Sequence, residues 1–337
     1  MRDNPILYVI APCYNEESCL YNSYEILRNK MNNMMADSSN SRISKESKLV
    51  FVDDGSLDET WNIISSIAAQ DASVVGIKLA HNAGHQNALF AGLSFACEQS
   101  DCTITIDVDL QQDINAMDAF IISYKNGTDV VFGVRNSRNS DSLFKKWTAL
   151  FFYSFMKCMG AETLKNHADY RLLSKKAGKA LLSFKEQNLF LRGLVTKLGF
   201  KNDIVYFDVH ERSLGESKYS TRKMLEFALD GITSFSVVPL RLVAFAGGII
   251  GIITLGMLFF IIAAHLLHKT VPGWSSLLLS IWFLNGLVML SLGVLGEYIG
   301  KLYFESKHRP RFIIDEILND SLPCSAAEAK NGGADHV

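Results

Sequence analysis

The sequence predicts an α/β domain with a mostly parallel sheet, followed by a two-helix transmembrane hairpin. Short apolar runs alternate with stretches of helical length through the first two thirds of the chain, and two long uncharged segments occur near its end. Strand–helix alternation is typical of a parallel sheet that helices cover on both faces, with right-handed crossovers. The candidate strands are residues 6–11, 49–52, 74–79, 103–106 and 129–134.

Between these strands lie stretches of helical length. They are residues 17–34, 57–70, 85–99 and 113–125. Residues 31–48 include an Asn-, Ser- and Met-rich segment with little periodicity, which predicts a surface insertion. Further along, the sequence predicts an aromatic helix over 144–159 and, within 186–212, a helix and a sheet segment around 204–209.

Two segments without Asp, Glu, Lys or Arg, residues 242–268 and 270–296, predict the hairpin. At about 1.5 Å per residue, each is long enough to cross a hydrocarbon core of about 30 Å. We therefore expect spans at about 242–267 and 275–298. The alternative, two buried helices of a large soluble core, is less consistent with such long uninterrupted runs.

The charge distribution predicts that both ends of the chain face the cytoplasm. Positive charges precede the first span and follow the second, whereas Lys269 is alone in the short linker. By the positive-inside rule, we expect the large N-terminal domain to be cytoplasmic and the two spans to lie in the inner membrane. The expected segments are a cytoplasmic α/β domain at 1–219, an amphipathic juxtamembrane helix at 220–240, the hairpin at 241–301, and a basic cytoplasmic tail at 302–337 that is disordered at its end. A core helix of the domain is an alternative for 220–240.

Composition excludes several classes of function. The formal net charge is −2 and no basic–aromatic patch occurs, so nothing indicates a nucleic-acid partner. The six cysteines have neither metal-ligand spacing nor the density of a disulfide scaffold, which favours reduced thiols. The apolar run at 6–11 is too short for a signal peptide and fits a first strand better.

Four polar clusters follow candidate strands, at the edge of an open parallel sheet where ligands bind. They are Pro12-Cys13-Tyr14-Asn15-Glu16-Glu17, Asp53-Asp54-Gly55-Ser56, His81-Asn82-Ala83-Gly84 and Asp107-Val108-Asp109-Leu110-Gln111. Closely spaced carboxylates can hold a hard divalent cation, which in turn binds phosphate oxygens. The order and residues of these clusters resemble the family-2 glycosyltransferases, which have the A-type, Rossmann-like nucleotide-sugar-binding fold.

Three downstream motifs make the resemblance more specific. Asp169-Tyr170-Arg171-Leu172-Leu173 and residues 211–219 are similar to elements of polyprenyl-phosphate glycosyltransferases. Gly296-Glu297-Tyr298-Ile299-Gly300-Lys301, with Arg309-Pro310-Arg311, resembles the end of bactoprenol glucosyltransferases of O-antigen modification, which are related to dolichyl-phosphate mannose synthases. The likeness covers about residues 6–315. His81 and Ile114 depart from the pattern, standing where the family often has Arg and Pro.

The resemblance implies a role for each motif residue. It implies a Mg²⁺ or Mn²⁺ site at Asp107, Asp109 and Gln111, and a nucleotide-sugar pocket at Pro12, Tyr14, Asn15, Glu16, Asp53, Asp54, Gly84 and Asp107. Cations suited to an acceptor phosphate are Arg135, Arg138, Arg212 and Lys218, with Ser217 beside them. The catalytic residues it implies are Asp169, Arg212 and Lys218, with Asp169 either a base or a residue that positions the acceptor or Arg171.

The reaction implied is inverting, metal-dependent transfer of a hexose, glucose from UDP-glucose, to undecaprenyl phosphate at the cytoplasmic face. The product serves cell-surface glycan modification. Glycines in both spans, with Asn285, predict a homo-oligomer, and the resemblance implies that a tetramer is one possible form. One alternative is a polyprenyl- or dolichyl-phosphate mannose synthase that uses GDP-mannose, and another is a membrane-anchored nucleotide-sugar-binding scaffold. A processive polysaccharide synthase would carry a Q-x-x-R-W motif and more spans, which this sequence lacks.

Overall fold

The computed structural model describes residues 4–36, 42–136, 167–186, 191–208, parts of 240–260, and 273–320. Residue contacts divide the chain into two units. The first comprises Met1–Asn139, Thr163–Glu216 and Pro310–Val337, and the second comprises Ser140–Glu162 and Ser217–Arg309.

The first unit is an α/β domain in which strands and helices alternate. In chain order its elements are β1 (Leu7–Cys13), α1 (Leu20–Ala36), β2 (Lys48–Asp53), α2 (Thr60–Gln70), β3 (Val74–Leu79), α3 (His85–Gln99), β4 (Cys102–Thr105), α4 (Ala116–Lys125), β5 (Val130–Arg135), β6 (His167–Ser174), α5 (Lys175–Leu182), α6 (Leu191–Lys197), β7 (Asn202–Phe207) and, after the second unit, β8 (Ile314–Leu318). Within the described residues, the predicted strands and helices of this domain are confirmed to within a few residues, and β3 and α3 have the predicted bounds.

The strands form one eight-stranded sheet in the order β7-β5-β6-β4-β1-β2-β3-β8. The pairs of β1 with β2 and β4, of β2 with β3, and of β5 with β7 are parallel, whereas β6 and β8 run in the opposite direction. The mostly parallel sheet is therefore confirmed. Side chains of β1, β2 and β4 are buried almost without exception, as expected for central strands that are covered on both faces.

One close approach fixes α3 against the sheet. A Cβ atom at Gly92 would lie 2.5 Å from Cγ2 of Ile10, so only glycine lets the helix backbone come this near to β1. Ala88, Leu89 and Ala91 of the same helix are also buried. This packing sets the position of the first residue of α3, which contributes to the site.

The C-terminal segment differs from the sequence prediction. Residues 302–337 were predicted as a tail, but Ile314–Leu318 form β8, which pairs antiparallel with β3. Two further contacts hold the segment, since Ala80 N donates to Ile313 O at 2.9 Å and the Asn319 amide donates to Ala68 O at 2.7 Å. The paired strand satisfies backbone groups at an edge that would otherwise be open. The predicted disorder at the end of the tail lies outside the described residues.

In the second unit the main described element is α7 (Trp274–Ser306), a helix of 33 residues. Its residues 283–306 form the one stretch, among the described residues, that is long and apolar enough to cross a membrane. The whole helix α7 includes residues 275–298, which were predicted as the second span, and the apolar stretch overlaps that prediction over 283–298. Helical residues occur between 240 and 260, but most of the predicted first span, the juxtamembrane segment 220–239 and the aromatic segment 144–159 lie outside the described residues.

Candidate active site

The candidate active site begins where β4 ends. After Thr105 and the buried Ile106 the chain turns back, and Leu110 N donates to Asp107 O at 3.1 Å. Leu110 has φ of +47°, a left-handed conformation that is uncommon for a residue other than glycine. Backbone strain of this kind is concentrated at functional sites. The turn leaves the carboxylates of Asp107 and Asp109 beyond the end of the strand, and Asp109 Oδ1 accepts from Gln111 N at 3.3 Å.

Asp107 is held by a residue that the sequence prediction did not include. Gln112, only 1% exposed, donates from its side-chain Nε2 to Asp107 Oδ2 at 2.5 Å. Burial raises the pKa of Asp107; His85 lowers it, Asp169 and Asp109 raise it further, and the Gln112 hydrogen bond lowers it. A negative charge on Asp107 is therefore unfavourable unless a proton or a cation neutralises it.

Asp169 reaches the same place from the antiparallel strand β6. The register pairs Thr105 with Arg171, and Thr105 Oγ1 donates to Asp169 O at 2.5 Å. The carboxylate of Asp169 is 14% exposed and forms an ion pair with Arg171, which is 2% exposed. Because Arg171 is buried, it fixes the orientation of the carboxylate from inside the domain.

His85 faces both carboxylates. Its Nε2 lies 3.6 Å from Asp107 Oδ1 and 3.9 Å from Asp169 Oδ2. The structure thus brings together Asp107 and Asp169, which the sequence analysis assigned to the donor and to catalysis, through a residue that it had not assigned.

The loops after β2 and β3 lie against each other through Asp54. Its carboxylate accepts from Ala83 N at 2.7 Å and from Gly84 N at 3.0 Å. Gly55, with φ of +66°, allows this approach, since a Cβ atom there would lie 2.6 Å from Asn82 N. Burial raises the pKa of Asp54, and the two backbone hydrogen bonds lower it. In this structure Asp54 supports the loop that precedes α3.

Asp53 is fully buried at the end of β2, and Ser56 N donates to its Oδ1 at 3.3 Å. Burial raises the pKa of Asp53, which the hydrogen bonds from Ser56 oppose. A buried carboxylate of this kind is costly unless further donors satisfy it. Both of its oxygens accept from Ser56 N, so Asp53 orders the start of the loop after β2.

The loop after β1 is joined to the loop after β2. Asn15, with φ of +53°, donates from its backbone N to Ser56 Oγ at 3.0 Å and accepts from Leu57 N at its side-chain Oδ1 at 2.9 Å. Glu16 N donates to Thr60 Oγ1 at 2.9 Å. Asn15 therefore orders the two loops, while the neighbouring Tyr14 leaves 42% of its surface exposed at the same edge. Pro12 is buried within β1.

Of the predicted acceptor cations, the structure describes Arg135. It is the last residue of β5, opposite Phe207 of β7, and is partly buried. Its Nε is buried, and no hydrogen-bond partner for it occurs within the described part of the chain. Arg138, Arg212, Ser217 and Lys218 lie outside the described residues.

The donor set at the Asp107 turn fits a cation that is shared with a substrate. Among the described residues, no group of three or more His, Cys, Asp and Glu side chains is arranged to hold a metal ion alone. Asp107 and Asp109 supply carboxylate oxygens, and Mg²⁺ is commonly bound by one or two carboxylates together with substrate phosphates. These two residues would supply part of the coordination and a diphosphate the rest.

Sequence reasoning missed His85 and Gln112. Each follows directly on a residue that was assigned, Gly84 and Gln111, so proximity was the available signal. The side chain that reaches Asp107 depends on the left-handed turn at Leu110, which the residue types alone do not predict.

The chain is similar in sequence to several known proteins. The family model described as "Glycosyl transferase family 2" matches residues 8–186. The chain is 42% identical over 322 residues to "Uncharacterized glycosyltransferase YkoT" of Bacillus subtilis, with 95% of each chain covered. It is 36% identical to "Prophage bactoprenol glucosyl transferase homolog" of Escherichia coli, with 92% of this chain and 98% of that one covered.

A second bactoprenol glucosyl transferase, from Shigella phage SfV, is 36% identical over 308 residues and covers 91% of this chain and 97% of its own. Among solved structures, a mannosyltransferase from Pyrobaculum calidifontis in complex with GDP-Man and Mn²⁺ has a TM-score of 0.48 and 13% identity, with 92% of this chain and 89% of that chain covered.

Proposed function

This chain belongs to glycosyl transferase family 2, and on that premise we propose that it transfers glucose from UDP-glucose to undecaprenyl phosphate with inversion at the sugar. The observation that carries the proposal is the meeting of Asp107 and Asp169 around one imidazole at the edge of the sheet. Likeness to bactoprenol glucosyl transferases along nearly the whole chain supports the choice of sugar and lipid.

The donor would bind at the loops after β1, β2 and β4. We assign Asp53, at the end of β2, together with Tyr14 and Glu16, in the loop after β1, to the nucleotide pocket. Asp107 and Asp109, with Gln111, would hold Mg²⁺ or Mn²⁺ against the diphosphate. When bound, the cation stabilises charge on the departing diphosphate, an effect commonly worth several kcal/mol.

The acceptor phosphate needs little activation. A phosphate monoester has a second pKa of about 6, so it is mostly a dianion at neutral pH. Its attack on the sugar requires orientation and screening from the diphosphate rather than loss of a proton. Arg135, at the end of β5, is suited to screening because its guanidinium carries a permanent positive charge. We assign the same task to Arg138, Arg212 and Lys218, and we assign Ser217 to a hydrogen bond with the acceptor phosphate.

Asp169 would act on the acceptor side. Arg171 holds its carboxylate in one orientation, so the group is fixed before substrates bind. A fixed carboxylate orients cationic or hydroxyl groups around the attacking phosphate and contributes through geometry. This supports a role in positioning at least as strongly as a role as general base.

The lipid acceptor requires a membrane, and α7 supplies an element that fits one. Its 33 residues correspond to about 50 Å, more than the hydrocarbon thickness of about 30 Å. Large apolar side chains along α7, such as Leu277, Phe283 and Leu292, are exposed. Lipid contact would remove this apolar surface from water.

Chain connectivity supports two spans rather than one. β7 precedes the apolar region and β8 follows α7, yet both belong to one sheet and must lie on the same side of a membrane. A single crossing would place them on opposite sides, so the number of crossings between Phe207 and Ile314 is even. This supports a first span at about 242–267 in addition to the span within α7.

Most lysines and arginines near the apolar region lie before its first segment or after its second, and Lys269 is alone between the two segments. By the positive-inside rule, we therefore place the sheet and both chain ends in the cytoplasm. Labelling single cysteines at Thr270 and Asp320 with a membrane-impermeant maleimide, in a cysteine-free background, tests this topology. Label is expected at position 270 alone in intact cells, and label at position 320 would contradict the orientation.

Self-association through the glycines of the spans stays a prediction, which the mass of the purified protein in detergent checks.

The transfer reaction itself is tested with purified full-length protein, undecaprenyl phosphate and a panel of nucleotide sugars that includes GDP-mannose. Mass spectrometry of the lipid identifies both the sugar and the acceptor. Glucosyl lipid phosphate is the expected product, and a mannosyl product would instead favour the mannose synthase alternative.

A further inference from the structure

The first residue of α3, His85, enters the site from a rigid support. The preceding loop is tied to Asp54 through Ala83 N and Gly84 N. Gly84 has φ of +92°, which directs the chain into the helix, and Gly92 lets that helix pack closely on β1. The backbone of His85 is therefore fixed on both sides, and its side chain remains 45% exposed toward the site.

The imidazole of His85 lies between two carboxylates that come from different strands. Its Nε2 is 3.6 Å from Asp107 Oδ1 and 3.9 Å from Asp169 Oδ2. These separations exceed those of formed hydrogen bonds. Hydrogen bonds of a catalytic site are often long without substrate and shorten in the reacting complex.

Each carboxylate is also held from the interior by a separate partner. Gln112 contacts Asp107, and Arg171 contacts Asp169. Both of these partners are buried, at 1% and 2% exposure. His85, by contrast, faces both carboxylates from the open side of the site.

We propose that His85 is a positioning residue of the transfer reaction, which keeps the donor-side carboxylate of Asp107 in register with the acceptor-side carboxylate of Asp169. The inference rests on the proposed function for the assignment of these two sides. Gln112 and Arg171 hold the two carboxylates only from the interior, so without the imidazole the repulsion between them displaces the oxygens that face the open side of the site. The donor pocket at Asp53 is unaffected, but the alignment of sugar and attacking phosphate is lost.

This role predicts a specific kinetic signature. Misplacement by about 1 Å can lower a rate about 100-fold, so His85→Ala is expected to lower kcat by about tenfold to 100-fold. The KM for UDP-glucose is expected to change less than about threefold, since the interaction acts on the reacting geometry rather than on uniform binding. His85→Lys is expected to recover most of kcat, because an ammonium group can donate to both carboxylates.

A double-mutant cycle with Asp169→Asn tests the contact. The double variant is expected to have about the same kcat as Asp169→Asn alone, because the alignment is already lost. Glu98→Gln, at the other end of the same helix and exposed, is the matched control and is expected to match the wild type. A loss of UDP-glucose affinity as large as the loss of kcat, or an unchanged kcat, would overturn the proposal.

A second measurement separates this inference from the proposed function. Melting temperatures of wild type, both single variants and the double variant, in detergent and without substrate, report the same contact independently of turnover. Non-additive shifts are expected, and additive shifts would overturn the contact even if glucose transfer is found. Absence of glucosyl lipid with the wild type, together with non-additive shifts, would refute the proposed function and leave the contact supported.

Discussion

The amide of Gln112 lies 2.5 Å from the carboxylate of Asp107, in the interior of the turn that follows β4. The sequence predicted Gln111 as a metal ligand beside Asp107, whereas the backbone N of Gln111 donates to Asp109. The contact shows that adjacent glutamines have different tasks: Gln112 orients Asp107 from within, and Gln111 is left nearer the surface.

Replacement of Gln112 by Leu removes the hydrogen bond from that side chain to Asp107, while it keeps the volume nearly constant. We expect kcat/KM for UDP-glucose to fall about tenfold to 100-fold, because Asp107 loses its fixed orientation. Steady-state kinetics check this. Gln70→Leu, an exposed glutamine of α2, is the control, and equal activity of both variants would contradict the role of Gln112.

Asp169→Asn keeps the shape of the side chain but removes its charge and its ion pair with Arg171. We expect turnover to fall by a factor on the order of 10² to 10⁴, while UDP binding measured by calorimetry stays near the wild-type value. Unchanged turnover would remove Asp169 from the mechanism. A loss of UDP binding would instead show that the substitution disturbs the donor pocket.

Asn319 fastens β8 to the domain. Its side-chain amide donates to Ala68 O at 2.7 Å and to Val74 O at 2.8 Å, and its φ of +59° is left-handed. Asn319→Ala loses the hydrogen bonds and adds backbone strain, and we expect a loss of about 1 kcal/mol or more in stability. Asn319→Gly loses the hydrogen bonds but tolerates the backbone, so its melting temperature should lie between those of the Asn319→Ala variant and the wild type. Identical melting temperatures for all three proteins would contradict the anchoring role.

The sequence was sufficient for the parts of the fold where neighbouring residues carry the information. Strand β3 is apolar apart from Gly76 and Lys78 and is followed by a polar cluster, so its bounds were predicted well. β6 was missed because Asp169 and Arg171 make it look polar, although both side chains are used inside the site. β8 was missed because its pairing with β3 joins residues that are distant in the sequence.

The candidate site divides in the same way. The location of Asp53, Asp54, Asp107 and Asp109 was predicted from their position at the ends of strands, and the structure has them at or just after the ends of β2 and β4. The contacts of His85 with Asp107 and Asp169 depend on a helix start, a strained turn and an antiparallel strand together. No local sequence pattern predicts that these three side chains lie close together.

Acid stability depends on an ion-paired carboxylate outside the site. Asp118 lies 2.8 Å from Lys30 Nζ and 2.5 Å from Arg42 Nη1. Burial raises the pKa of Asp118, but the hydrogen bonds and charges of Lys30 and Arg42 outweigh it, and the net pKa lies below the usual 3.8. A pKa that is lower in the folded state means that ionised Asp118 stabilises the protein above pH 3.8, and that this contribution is lost as the pH falls through the lowered value.

Asp118→Asn is therefore expected to lower the melting temperature at neutral pH, with the difference from wild type narrowing below pH 3.8. Melting curves in detergent across this range measure the effect. Asp315→Asn, at an exposed carboxylate 3.8 Å from Lys78, is the control and should change little. A difference between Asp118→Asn and wild type that stays constant with pH would refute the ion-pair interpretation.

The most direct test of the account combines product and cation in one assay. Purified protein is incubated with undecaprenyl phosphate, UDP-glucose and Mg²⁺ or Mn²⁺, with and without excess chelator, and the lipid is analysed by mass spectrometry. We predict glucosyl undecaprenyl phosphate that disappears with chelator and returns when the cation is restored. No glucosylated lipid, or a yield undiminished by chelator, would contradict the central claim.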